Sequence, residues 1–293
     1  MLAHRAKAAV VRGAAQGRFA GRLVLDGGRR FARRSGRVPA HLKRTSMTVI
    51  AAEIDRCSRL SATWWNNTGW MRALHGVNIF RLTCITDRSE QHFGRARGAQ
   101  LAGMRTRDLG FGGGLMSKPM AQRGARVGID VARGNAAAAR LQAASEGVSI
   151  DHRLGQPSAA LHDDGRFAVV LALNVVEHVS DVNTLTAVAA RYVAPSGSLF
   201  ASTVDRPSKR SLLAIVGAEY LLPMQPRGTQ AWQRFVRPAE LAAAVSPASL
   251  VQTDLRGMRY RPLVHCASWP RDTRVNCIAE SARQARSGRR EQP

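Results

Sequence analysis

Short apolar blocks alternate with longer, helically spaced ones through most of this chain, and that rhythm predicts an α/β domain. Runs of strand length fall at 104–109, 125–130, 148–153, 167–173, 197–203 and 249–255. Helical spacing occupies 115–123, 134–146, 181–193 and 238–245, in between. The run Val169 to Leu173 is continuously apolar, as in a strand covered on both faces. Pro195 and Gly197 punctuate the turn before the fifth strand. Upstream, 51–101 reads as helical, with Trp64, Trp65 and the stretch from Leu74 to Leu82 as apolar anchors. The expectation is a mostly parallel sheet with helices on both faces and helices added at the N-terminal side.

One stretch breaks the rhythm. Residues 205–237 separate the fifth strand from the next helix, too long for a simple connection. They hold the apolar run Ser211 to Ala218, rimmed by Lys209, Arg210, Arg227, Arg234 and Arg237. That combination is how an element lying on a membrane surface reads. Lys209 and Arg210 would meet anionic headgroups, while Leu212, Leu213, Ile215 and Val216 enter the interface. A buried helix capping the mouth of a site is the other reading, and both can hold together.

The chemistry concentrates where strands end. Asp108-Leu-Gly-Phe-Gly-Gly-Gly114 lies between the first strand and its helix, the context in which a glycine-rich turn holds a nucleotide-type ligand. Position 115 is Leu, so the G-x-G-x-x-G spacing of a dinucleotide site fails. The spacing D-x-G-x-G-x-G is similar to that of class I S-adenosylmethionine methyltransferases. Asp130 ends the second strand, where a carboxylate can accept hydrogen bonds from a ribose diol. Glu177 and His178 follow the fourth strand at the same edge of the sheet, a place for acid–base or metal chemistry.

Charge adds a partner class. The chain carries 44 Lys and Arg against 20 Asp and Glu, a net +24. Residues 1–46 hold twelve basic residues and Asp26, a net +11, which leaves +13 for the rest. Such a field favours an anionic membrane surface or nucleic acid. Aromatics are only 5%, and Val175 and Val176 follow Asn174 where a base-stacking motif would need Pro-Pro-Tyr, so nucleic acid is disfavoured. The leader 1–46 reads as a transit peptide, a basic arm or residues ahead of a true start at Met47. Residues 47–280 form the catalytic domain and 281–293 a basic tail in this reading. Four scattered cysteines suit a reducing compartment. No apolar stretch reaches the length of about 18 residues that a spanning helix needs.

Over about residues 50–280 the chain resembles the ubiquinone biosynthesis O-methyltransferases. The resemblance rests on Ser61-Ala-Thr-Trp64-Trp65, Leu74-His75-Gly-Val-Asn78-Ile-Phe-Arg81, the two cofactor motifs and Val175-Val-Glu177-His178. It also rests on Ala214-Ile-Val-Gly-Ala-Glu-Tyr220, Pro226-Arg-Gly-Thr229 and Phe235-Val-Arg-Pro-Ala-Glu-Leu241, which generic methyltransferases lack. It implies a Rossmann-like, seven-stranded sheet and methylation of ring hydroxyls on polyprenylated phenols. Arg81, Asp108, Gly110, Gly112, Asp130 and Leu173 would bind S-adenosylmethionine. Asn174, Glu177 and His178 stand at positions that would hold Mg²⁺, and His178 and Glu177 would be catalytic. Other ubiquinone-pathway proteins become possible partners, at the cytoplasmic face of a bacterial inner membrane or the matrix face of the mitochondrial one. A scaffold that binds cofactor without turnover is the rival reading. The chain departs from the family pattern at Arg107, Phe111, Asn174, Ser196 and Gln230.

Overall fold

The computed structural model describes residues 51–67, 71–124, 127–130, 132–156, 165–204, 236–261, 266–273 and 276–283. The apolar run 167–173 becomes β4 (Phe167–Leu173) and sits at the middle of the sheet, buried along almost its whole length. Around it lie β1 (Thr106–Leu109), β2 (Val127–Asp130), β3 (Asp151–Leu154), β5 (Val193–Val204), β6 (Leu250–Gly257) and β9 (Asn276–Arg283). The strand order is β3-β2-β1-β4-β5-β9-β6. The first five are parallel neighbours, and β9 runs antiparallel to both β5 and β6. A separate hairpin pairs β7 (Arg259–Arg261) with β8 (Cys266–Ser268).

Side chains of β4 alternate between two cores, as the pleat requires. Val170 and Ala172 face α5 (Val182–Tyr192) and α6 (Pro238–Val245), in a cluster with Leu185, Val188, Leu241 and Val245. Val169, Leu171 and Leu173 face the opposite side, with Leu82 and Ile85 of α2 (Arg72–His92) and Met120 of α3 (Ser117–Ala121). Phe167 breaks the parity and joins Val170 and Ala172. The cause is a shift of register against β5 between Phe167 and Val169. The helix α4 (Arg133–Ser145) buries only small residues, among them Ala136, Ala139 and Ala143. The helix α1 (Ala51–Leu60) precedes a short 3-10 turn, Ser61–Thr63. No helix among the described residues is long and apolar enough to cross a membrane.

The six strands expected from the sequence are present, with β5 beginning earlier than expected, at Val193. The resemblance implies a seventh strand without placing it, and that strand is β9; the hairpin strands β7 and β8 were not expected. β9 continues past residue 280 and is buried on both faces, yet it carries Glu280 and Ser281 in place of an apolar run. Glu280 is tolerated because Arg88 of α2 reaches it, with Nε and Nη2 at 2.7 and 2.6 Å from Oε2. The same pair fastens α2 to the sheet.

Arg107 is an internal residue of β1 and wholly buried. Its guanidinium lies 4.9 Å from the ring centre of Phe167 and 4.4 Å from that of Tyr192. The electron-rich ring faces attract the cation where water cannot reach it. This departure from an apolar strand end is therefore accommodated by its neighbours.

Candidate functional site

Strand register brings the motifs to one edge. Asp108 pairs with Gly128 on one side and Leu171 on the other, and Leu173 pairs with Ser202. The glycine loop, Asp130 and Asn174 therefore leave the sheet together, at the carboxyl ends of β1, β2 and β4. The chain runs to opposite sides of β1 here, which opens the crevice that holds ligands in such sheets. Asp130 is described in its backbone only, as the last residue of β2.

The loop itself is tightly packed. Gly110 has φ +73°, and a Cβ there would come within 2.6 Å of the Val175 side chain. Both facts restrict the position to glycine. Below the loop, the buried Asp108 carboxylate accepts a hydrogen bond from Ser117 Oγ at 2.7 Å, which ties β1 to the start of α3. Phe111 stacks obliquely on His152 of β3, ring centres 4.7 Å apart. Both ring nitrogens of His152 lack hydrogen-bond partners, and burial pushes its pKa down to about 4.

A short segment from the N-terminal side crosses this loop. A Cβ on Gly113 would lie 2.3 Å from Trp64 Cβ, so the indole rests directly against the backbone. Trp64 Nε1 donates to Asn135 Oδ1 on α4 at 2.8 Å, and Trp65 Nε1 donates to the Gly113 carbonyl at 2.9 Å. His75 Nε2 is 2.9 Å from the Trp64 carbonyl, and Lys118 Nζ lies 4.9 Å from the Trp65 ring centre.

Arg81 forms the polar centre of the site. It is fully buried on α2, and its Nη1 donates to Asn78 Oδ1 at 3.1 Å. Its Nη2 donates to Asn174 Oδ1 at 2.8 Å. Both acceptors are neutral amides, and Nε has no partner. Burial lowers the Arg81 pKa to about 10, opposed by the charge of Glu177, so the group stays cationic at neutral pH. A buried cation with a spare N–H donor fits the carboxylate of an amino-acid ligand, and S-adenosylmethionine has one. Leu173, one residue before Asn174, is buried against the α2 side of the core.

Asn174 has φ +53°, a conformation asparagine tolerates better than most residues. Its N–H donates to Ser202 Oγ at 3.0 Å, and its Oδ1 lies 3.2 Å from the same hydroxyl. Glu177 and His178 follow on a 3-10 turn, half-buried, before Asp181 caps α5 by accepting from the N–H groups of Asn183 and Thr184.

These residues do not fit Mg²⁺ bound through Asn174. The amide oxygen is uncharged and already serves Arg81 and Ser202. A doubly charged ion roughly 4 Å from the guanidinium would be repelled by on the order of 8 kcal/mol at an effective dielectric of about 20. No group of three His, Cys, Asp or Glu among the described residues is arranged to hold a metal. The expected trio of Asn174, Glu177 and His178 thus fits a divalent cation poorly at its first member.

Some of the site was not expected. Asn78 carries no role in the stretch Leu74 to Arg81 by sequence alone, and Ser202 and Asn135 give no signal beyond lying near strand and helix ends. Trp64 and Trp65 read as apolar anchors, whereas in the fold their N–H groups also donate hydrogen bonds. The residues expected to meet a membrane, Lys209, Arg210, Leu212, Leu213, Ile215 and Val216, lie outside the described residues.

Residues 107–201 match the methyltransferase domain family. The fold is shared with a magnesium protoporphyrin IX methyltransferase from Synechocystis PCC 6803, at TM-score 0.53 and 16% identity over 80% of this chain and 95% of that one. It is shared also with an S-adenosylmethionine-dependent methyltransferase from Thermotoga maritima, at TM-score 0.55 and 13% identity over 79% and 100%. Sequence similarity runs much higher elsewhere. A ubiquinone biosynthesis O-methyltransferase from Methylobacterium sp. strain 4-46 is 42% identical over 244 residues, 82% of this chain and 98% of the relative. One of the same name from Brucella anthropi is 40% identical over 241 residues, 81% of this chain and 97% of the relative. A match that deep, over nearly the whole length of the relatives, extends far past the cofactor fold they have in common with other methyltransferases. The chain belongs to the ubiquinone biosynthesis O-methyltransferase family.

Proposed function

We propose that this protein methylates ring hydroxyls of polyprenylated phenols and catechols, in both O-methylation steps of ubiquinone biosynthesis. The observation that carries the reading is the 42% identity to a relative of that name over 98% of the relative's length. Arg81 would hold the carboxylate of S-adenosylmethionine, the loop from Gly110 to Gly112 its amino-acid end, Asp130 the ribose and Leu173 the adenine side. When bound, that cofactor supplies a methyl group on a reactive sulfonium.

The chain's own work is alignment and proton removal. Holding the phenol oxygen in line with the methyl group supplies ~7–11 kcal/mol of barrier reduction. A phenol with a pKa of about 10 is mostly protonated at neutral pH. A ring nitrogen of His178 takes that proton, and Glu177 orients the imidazole. A positioned base of this kind contributes on the order of 10²–10⁴ in rate. No step runs through a metal.

The test is turnover of a short-chain prenylated catechol, with methylated product and S-adenosylhomocysteine read by mass spectrometry. His178→Ala is expected to lower kcat by about a hundredfold or more. Binding of S-adenosylhomocysteine without product on any prenylated phenol would favour the scaffold reading instead.

Substrates with isoprenoid tails reside in bilayers. We therefore assign residues 205–237 as an insertion that docks on an anionic membrane and the catalytic domain as running from residue 47 through β9. The protein would work as a peripheral enzyme at the cytoplasmic face of the inner membrane. Each basic residue near such a surface adds ~1 kcal/mol. Co-sedimentation with anionic liposomes should fall when Lys209 and Arg210 are both replaced by Glu. Equal sedimentation of the variant and the wild type would remove the assignment.

A further inference from the structure

The strongest unassigned feature is the segment Ser61 to Trp65, because it touches the glycine loop, the first turn of α4 and α2. It covers Gly112 and Gly113 with the Trp64 ring, and it holds the Gly113 carbonyl through Trp65 Nε1. It reaches the first turn of α4, directly after Asp130, in two places. One is the Trp64–Asn135 hydrogen bond, and the other is Gly134, where a Cβ would lie 2.7 Å from Ser61 Oγ. It also meets α2, the helix of Arg81, through His75. The loop after β1 also packs on α4 directly, Phe111 against Ala136 and Ala139, and the segment adds directional hydrogen bonds to that apolar contact. A segment that bonds to both, and to the helix bearing the cationic residue, sets the distances among the three groups that face a ligand.

We infer that Trp64 and Trp65 are positioning residues for the cofactor, a role that rests on the glycine loop being the cofactor site. Each indole N–H fixes one partner. Trp65 holds the loop carbonyl at Gly113, and Trp64 passes the constraint to Asn135 and the turn after Asp130. The rings supply the packing and the N–H groups supply the register. Phenylalanine at either position keeps most of the packing and removes the donor.

This is tested by S-adenosylhomocysteine titration of wild type, Trp64→Phe, Trp65→Phe and Asn135→Ala, with folding checked by thermal melting. Loss of one hydrogen bond should weaken binding by about three- to tenfold in each variant. The effect should appear in KM for S-adenosylmethionine more than in kcat. In protein labelled with 5-fluorotryptophan, the ¹⁹F resonances of Trp64 and Trp65 should move on S-adenosylhomocysteine addition, while that of Trp269, on the hairpin strand side, stays. Asn135→Ala leaves both indoles in place, so it keeps the test alive if a tryptophan variant fails to fold. Wild-type affinity in all three variants, with unshifted Trp64 and Trp65 resonances, would overturn the inference alone. Failure of the wild type to bind S-adenosylhomocysteine would overturn it together with the cofactor reading of the loop.

Discussion

Arg81 and Arg107 are both fully buried, one on α2 and one on β1, and they are held in opposite ways. Arg107 lies among aromatic faces from Phe167 and Tyr192. Arg81 is held by two neutral amides, with the charge of Glu177 nearby. A cation enclosed by aromatic rings belongs to the architecture. A cation held in place by amide oxygens at the edge where the strands end is placed where a ligand would meet it. Burial alone does not separate the two cases, and the chemistry of the neighbours does.

Replacement should pull the two regions apart. Arg81→Met is expected to weaken S-adenosylhomocysteine binding by at least about thirtyfold, since a buried charged contact is worth ~2–5 kcal/mol. Its melting temperature should hold or rise, because the desolvated charge is gone. Calorimetric titration beside a thermal melt reads both quantities. Arg107→Ala should do the reverse and lower stability by about 3 kcal/mol in denaturant, by opening a void between two rings. Its cofactor affinity should match the wild type once folded. Similar losses of affinity in both variants would erase the contrast.

His152 sharpens the comparison, as a base that stays neutral instead of being paired. Its pKa falls from 6.5 to about 4 in the folded state. Below about pH 6.5 the unfolded chain takes up a proton that the folded one refuses. The full contribution is therefore present above that pH and drains away as pH falls towards 4, up to about 3 kcal/mol. His152→Leu should flatten the stability profile across that window, measured by urea unfolding. An unchanged slope would show that the imidazole titrates normally. The smallest effect concerns Asn174. Mn²⁺ followed by electron paramagnetic resonance should find no tight site in the wild type. Asn174→Glu, which gives Arg81 a charged partner and leaves an oxygen over, should bind Mn²⁺ about tenfold more tightly. Tight binding by the wild type would contradict the fit argued above.

Much of the cofactor half was legible because its signals are local. A continuous apolar run, glycines between a strand and a helix, and an acid at a strand end each sit within a few residues. The strands β1 to β6 and the placement of Gly110, Asp130 and Asn174 followed from them. β9 was not legible, because its stability comes from partners distant in sequence. Glu280 looks unsuited to an interior strand until Arg88 is beside it. The Arg81 network was hidden for the same reason, since Asn78, Asn174 and Ser202 come from a helix, a turn and a strand. Arg107 looked like a defect only while Tyr192, far along the chain, was out of view.

β9 is the last described strand in the chain and an inner one in the sheet, seated between β5 and β6. Translation runs in one direction, so β5 and β6 leave the ribosome with the place between them vacant. Every backbone donor and acceptor that they will give to β9 faces water or another chain during that interval, and such open edges are what sticks to neighbours. The parallel strands can pair as they emerge, whereas this antiparallel margin waits for Asn276 to Arg283. Until that last segment is seated, the gap between β5 and β6 is the part of the nascent sheet most open to pairing with another chain.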